Sequence, residues 1–188
     1  DLIKHFETRT QTQPGKAMIV CMSREICVKF YEALRKLKPE LHDEDLSKGQ
    51  MKIVMSASAS DVEEFQPHHT NRLQKKDLEK RFKDPSDSLK IVIVRDMWLT
   101  GFDAPCLSTM YVDKPMQGAN LAQAIARVNR VFGDKPGGLV VDYIGIAPQL
   151  KEALATYANS NGRGKPTINT DVALNILQEK LKVAQDLL

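Results

Sequence analysis

Two short runs constrain this chain most: Ala17–Met22 and Leu89–Val94, in which apolar residues follow one another almost without interruption. A strand with one wet face alternates apolar and polar residues, whereas a run of this kind is a strand covered on both faces. Lys52–Ser56, Thr109–Val112 and Gly138–Asp142 read as further short strands, and stretches with helical spacing lie between them. Strands alternating with helices predict an α/β fold: an open, mainly parallel sheet with helices on both faces.

In chain order, residues 1–15 read as an incoming helix and a polar turn ending at Pro14-Gly15. Ser23 stands where an N-cap belongs, before a helix whose expected inner face is Ile26, Phe30, Leu34 and Leu37. Residues 39–49 form an acidic connection, and 57–69 read as loop. Asn71–Lys83 has helical spacing in Leu73, Leu78 and Phe82, and Asp84-Pro85 stops it. Pro148–Tyr157 predicts another helix, and residues 159–170 a linker. The segment 171–188 reads as the start of a C-terminal helical region whose apolar face, with Leu174, Leu177 and Leu181, needs a partner. The expected organisation is thus one α/β domain over 1–158 with a helical appendage. An opening Asp1 and a helical pattern running to the last residue predict a piece of a longer protein.

Of the 188 residues 42% are hydrophobic and 27% charged, as in ordinary globular domains. No apolar run reaches the length of a membrane span. Cys21, Cys27 and Cys106 lack metal-site spacing and are odd in number, so a cytoplasmic setting is expected. A net charge of +3 permits an anionic partner without requiring one.

Ligands of open α/β sheets gather beyond the carboxyl ends of the strands, which directs attention to Ser23-Arg24, Ser56, Arg95–Pro105 and Asp142-Tyr143. In the longest of these, Gly101 permits close approach of backbone to a ligand and Asp103 can accept from a ribose hydroxyl. Trp98 and Phe102 read as plugs at the core edge. Between Asn120 and Phe132, Leu121, Ile125, Val128 and Phe132 make an apolar stripe at i, i+4, i+7 and i+11. Gln123, Arg127 and Arg130 repeat at i, i+4 and i+7 on the other side. Guanidiniums in a row suit phosphate oxygens, and equally a solvated helix face.

No phosphate-cradling loop accompanies them. Gly15-Lys16 is followed by Ala17 and Gly164-Lys165 by Pro166, and neither has the glycine that a GxxxxGK[ST] loop requires. The chain by itself is therefore not expected to bind and hydrolyse a nucleoside triphosphate. It is expected to supply arginines that reach a γ-phosphate held by a neighbouring domain. His68-His69 read as a surface feature and Cys106 as a small core residue. The basic cluster Arg72, Lys75, Lys76, Lys80, Arg81 and Lys83 suits either water or nucleic-acid phosphates.

These pieces resemble a family. The strand followed by Ser23-Arg24 resembles motif IV of superfamily 2 helicases, Leu99–Pro105 resembles motif V, and Gln123-x-x-x-Arg127-x-x-Arg130 resembles motif VI, in the family's order. More narrowly, Asp96–Pro105, Tyr111–Met116, Ala124–Arg130 and Gly137–Gly145 resemble the restriction (R, motor) subunit of type I restriction-modification enzymes, which also share Ala126 where general motif VI has glycine. The resemblance implies a second RecA-like motor domain of an ATP-dependent DNA translocase. ATP and Mg2+ would be bound mainly by a first motor domain, and the partners would be double-stranded DNA and the specificity and methyltransferase subunits. It assigns Arg130 as arginine finger, Arg127 as its companion on the γ-phosphate or an acidic neighbour, and Gln123 as an orienting amide. Gly101 and Asp103 would contact the nucleotide ribose and the opposing domain, and Thr100, Ser23 and Arg24 the DNA backbone. Other superfamily 2 motors and a non-catalytic α/β interaction module are the alternatives.

Overall fold

The computed structural model of the chain describes residues 1–129, 137–146, 148–149, 151 and 155. Arg130, Phe132, most of the helix expected after Pro148, the linker and the 171–188 helix lie outside the described residues.

Helix α1 (Leu2–Thr12) leads through the Pro14-Gly15 turn into β1 (Lys16–Cys21), followed by α2 (Arg24–Leu37) and β2 (Met51–Val54). Then come α3 (Arg72–Lys83), β3 (Ile91–Val94), β4 (Leu107–Asp113), α4 (Gly118–Val128) and β5 (Leu139–Asp142). The five strands form one sheet in the order β2-β3-β1-β4-β5, every pair parallel. The expected α/β architecture is the one observed.

Alternation along the strands sorts the core into two layers. Ala17, Ile19, Cys21, Met51, Ile53, Ile91, Ile93 and Tyr111 face α1 and α2. Met18, Val20, Val54, Val92, Val94, Met110 and Val112 face α3, α4 and the 95–105 loop. The chain therefore leaves β1 toward one face and leaves β3 and β4 toward the other, which is what right-handed crossovers require for this strand order. The carboxyl end of β1 is flanked on both sides by neighbours whose connections diverge from its own, the setting in which open α/β sheets form a ligand crevice.

Local signals place the helix starts. Ser23 caps α2 by accepting from the Ile26 N–H at 3.1 Å. Asn71 and Gln74 cap α3 reciprocally, through a 2.9 Å bond to the Gln74 N–H and a 2.8 Å bond from the Asn71 N–H. At the start of β5, a Cβ on Gly138 would lie 2.0 Å from the Val128 carbonyl oxygen, so only glycine lets that strand pass under the end of α4.

Several expectations need correction. Helix α2 buries Cys27, Val28, Tyr31 and Leu34, while Ile26 and Phe30 only flank the core and Leu37 is 74% exposed. In α3, Leu78 and Phe82 are buried but Leu73 is 71% exposed. The segment expected as loop contains a 3-10 helix at Glu63–His68. His68 and His69 are not a bare surface pair: the His68 ring meets Tyr31 edge-on at 4.8 Å, and His69 Nε2 lies 3.0 Å from Asp61. Burial pushes the His68 imidazole down to about 4.

Two lysines, Lys16 at the start of β1 and Lys52 second in β2, are buried although nothing in their local spacing marks them as core. Lys16 donates to the Arg81 carbonyl at 2.7 Å and lies 5.5 Å from the Phe82 ring centre, so its charge meets the carboxyl end of α3. Burial pulls its pKa down to about 8. Lys52 donates to the Asp43 and Asp45 carbonyls. Of the expected basic cluster, Arg81 is structural: it pairs with Asp87 and donates to the Leu46, Lys48 and Gly49 carbonyls.

Candidate functional site

Two places hold the sequence-predicted residues: Ser23 and Arg24 stand at the carboxyl end of β1, whereas the chain after β3 runs back toward the start of β4 and meets the last turn of α4. After β3 the chain enters a loop whose inward residues are Trp98, Leu99, Phe102 and Ala104, all buried, and whose outward residues are Thr100, Gly101 and Asp103, all exposed. Trp98 and Phe102 stack with centroids 4.3 Å apart and planes within 7°, and Phe82 packs beneath both. The two aromatics are the plugs at the core edge that their type suggested, and they hold the polar edge outward.

The loop backbone is unusual at two points. Trp98 has φ +68, which a bulky side chain rarely adopts, and Gly101 has φ +67. A Cβ on Gly101 would meet nothing within 4 Å. Conformation rather than crowding therefore demands glycine there, and the space over it is open.

Helix α4 behaves as its spacing predicted. Leu121, Ile125 and Val128 are buried, together with Ala124, while Gln123 is exposed and Arg127 half-buried. Arg127 Nε donates to the Leu99 carbonyl at 2.9 Å. Burial lowers the Arg127 pKa and the charge of Asp103 opposes that shift, so the motif helix and the strand-end loop form one electrostatic unit. Arg130 lies outside the described residues.

At the β1 end, Ser23 and Arg24 are present but already engaged. The Ser23 hydroxyl caps α2. The Arg24 guanidinium forms a fork on Asp61, at 2.7 and 2.6 Å, donates to the Ser56 carbonyl at 2.8 Å, and lies over the Phe65 ring. Asp61 also accepts from the Ser58 N–H at 2.8 Å and pairs with His69. The Arg24 hydrogen bonds lead the interactions that hold the Asp61 carboxyl below its ordinary range. Arg24 thus pins residues 56–69 to the start of α2, and a DNA phosphate would have to compete with Asp61 for it. Sequence reasoning missed Asp61, whose only local mark is a polar stretch.

It also missed Lys114, although that residue directly follows β4. Its ammonium pairs with Asp96 and lies 3.3 Å from the Arg95 carbonyl oxygen. Arg95 pairs with Asp96 at 3.0 Å and reaches the Met22 carbonyl at 3.4 Å. Two cations sharing one carboxylate thus bridge the ends of β3, β1 and β4.

The donors on α4, an exposed amide and a half-buried guanidinium, suit an anionic ligand approached from outside. Among the described residues no group of His, Cys, Asp and Glu is arranged to hold a metal ion, and no helix is long and apolar enough to cross a membrane.

Comparison with known proteins gives these features a common source. Residues 58–145 match the family described as type I restriction enzyme subunit R domain 3. The HindI type I restriction enzyme endonuclease subunit of Haemophilus influenzae is 50% identical over 190 residues, an alignment covering 100% of this chain and 18% of that protein. A protein described as the MjaIXP type I restriction enzyme endonuclease subunit of Methanocaldococcus jannaschii is 48% identical, over 96% of this chain and 16% of its own length. The chain thus spans less than a fifth of the length of these curated relatives. A solved fragment described as an HsdR subunit of a type I restriction enzyme from Vibrio vulnificus shares the fold, with a TM-score of 0.58 at 20% identity, over 88% of this chain and 29% of that one. On the strength of the family match and of the identity along its whole length, this chain belongs to the type I restriction enzyme R-subunit family.

Proposed function

We propose that the chain is the second motor domain of an ATP-dependent DNA-translocating restriction subunit. In this reading it supplies the arginine side of an ATP site and sequence-blind contacts to the DNA backbone. The observation that carries the reading is the junction of α4 with the strand-end loop, where Arg127 of the motif helix reaches Leu99 beside exposed Thr100, Gly101 and Asp103. The names of the relatives support the wider setting: each is an endonuclease subunit of a type I restriction enzyme.

In this reading Arg130 acts as the finger that stabilises charge developing on the transferred phosphoryl group, and Gln123 orients the ligand from one turn away. Arg127 bears on the phosphates from the same face of α4. Gly101 and Asp103 face the nucleotide ribose and the opposing domain, while Thr100 and Ser23 meet DNA phosphates. Mg2+ and the triphosphate are held by a domain carrying the phosphate loop, and the ion supplies charge neutralisation on the β- and γ-oxygens. Arg24 joins the DNA contacts only by exchanging part of its Asp61 fork.

The proposed partners are double-stranded DNA and the specificity and methyltransferase subunits of a restriction complex, in the cytoplasm. DNA cleavage itself belongs to the complete subunit. Two experiments test the reading. The purified 188-residue chain is expected to show no ATP turnover, and measurable turnover would contradict the division of labour. In the full subunit, ATP turnover is expected to rise with duplex DNA and not with RNA; stimulation by RNA would favour a different superfamily 2 motor.

A further inference from the structure

The stacked aromatics fix the two ends of the loop after β3, but the polar edge lies between and beyond them. Trp98 and Phe102 are anchored on Phe82, whereas Thr100 and Gly101 stand clear of the core. The backbone there turns through two left-handed residues, Trp98 and Gly101, a conformation that neighbouring contacts must hold in place. Within the loop, the Leu99 N–H donates to the Asp96 carbonyl at 3.2 Å. The Leu99 carbonyl, at the centre of the turn, points to α4 and takes the 2.9 Å bond from Arg127 Nε.

We propose that Arg127 is a positioning residue whose Nε–H, held on the Leu99 carbonyl, sets the backbone that presents Thr100, Gly101 and Asp103. The functional meaning of that edge rests on the reading above; the mechanical claim does not. The bond has a consequence for coupling. Any displacement of α4 when its arginines engage a phosphate is passed through Arg127 to the edge that meets DNA. Asp103 fits this arrangement, because its charge favours the charged form of the same guanidinium from the far end of the loop.

Side-chain chemistry separates a strut from a phosphate contact. In Gln the amide nitrogen is bonded to Cδ, as Nε is in Arg, so Arg127→Gln keeps a donor at that place while removing the charge. Arg127→Lys keeps the charge and has no donor at that place. Trp98 is the only tryptophan of the chain, is 8% exposed, and precedes Leu99, so its fluorescence reports on this loop directly. In the 188-residue chain, Arg127→Gln is expected to keep the wild-type emission maximum and acrylamide quenching. Arg127→Lys and Arg127→Ala are expected to shift emission to the red and raise the quenching constant about twofold, as local opening exposes the indole. Far-UV circular dichroism and the urea midpoint establish that each variant is folded, and the Gln and Lys pair decides if the alanine variant does not fold. Wild-type quenching in the Lys variant, or a Gln variant quenched as strongly as the Lys variant, overturns the proposal. In the full subunit without nucleotide, Arg127→Lys is then expected to weaken duplex DNA binding and Arg127→Gln to preserve it. Loss of the spectroscopic split refutes the strut, whereas a spectroscopic split without a DNA effect refutes the assignment of the loop edge to DNA.

Discussion

At the residue scale, the site depends on a few side chains that satisfy one another. Phe82 is the clearest: fully buried, it supports Trp98 and Phe102 and lies beside the Lys16 ammonium. Phe82→Ala removes the floor of the loop and is expected to cost about 3–5 kcal/mol, read as a lowered urea midpoint with Trp98 emission shifted to the red before global unfolding. Gly101→Ala tests conformation rather than packing. Space is open around it, so the cost is that of a left-handed alanine, about 1–2 kcal/mol, and a cost near zero would mean that the turn relaxes. His68 gives a pH signature. Its folded pKa, about 4, lies below the ordinary 6.5, so between those values the unfolded chain binds the proton that the folded chain refuses. Its contribution to stability is present at neutral pH and is lost as pH falls from about 6.5 toward about 4. The His68→Phe variant is expected to show a flatter fall in urea midpoint between pH 7 and pH 5 than the wild type. His42, also held below its ordinary range by burial, shifts stability in the same direction in both.

At the element scale, the rotation of α2 is the sharpest departure from expectation and is directly testable. Leu34→Ala is expected to cost about 2–4 kcal/mol, and Leu37→Ala to change the unfolding free energy read from urea titration by no more than about 0.5 kcal/mol. The reverse ranking would restore the face that apolar spacing suggested. The strands were legible because an apolar run buried on both faces has no other use, and α4 because Leu121, Ile125 and Val128 fix its buried side without help. Helix α2 was less legible because its inner face includes Cys27 and Tyr31. Tyr31 counts as apolar only once its hydroxyl is seen bonded to His42 at 2.7 Å. The 57–69 segment carries no periodicity at all. Tertiary contacts hold it, chiefly the Asp61 fork on Arg24, and a pair 37 residues apart leaves no local trace. The same holds for Lys16 and Lys52, whose partners are carbonyls brought near by other elements.

At the scale of the whole molecule, the chain divides its candidate chemistry between the carboxyl end of β1 and the junction of the post-β3 loop with the last turn of α4. Of the residues that sequence and resemblance proposed, Thr100, Gly101, Asp103, Gln123 and Arg127 meet or flank one another at that junction. Ser23 and Arg24 stand at the β1 end with structural duties of their own. In the proposed reading, that arrangement is the arginine side of a site whose triphosphate another domain holds, and Arg130 completes it. The most direct test is Arg130→Ala in the full subunit, with nucleotide affinity and DNA-dependent ATP turnover measured on the same preparation. Loss of turnover and translocation by roughly 10³-fold or more, with ATP affinity largely kept, is the predicted result. Loss of affinity and turnover together, or turnover that survives, would contradict it.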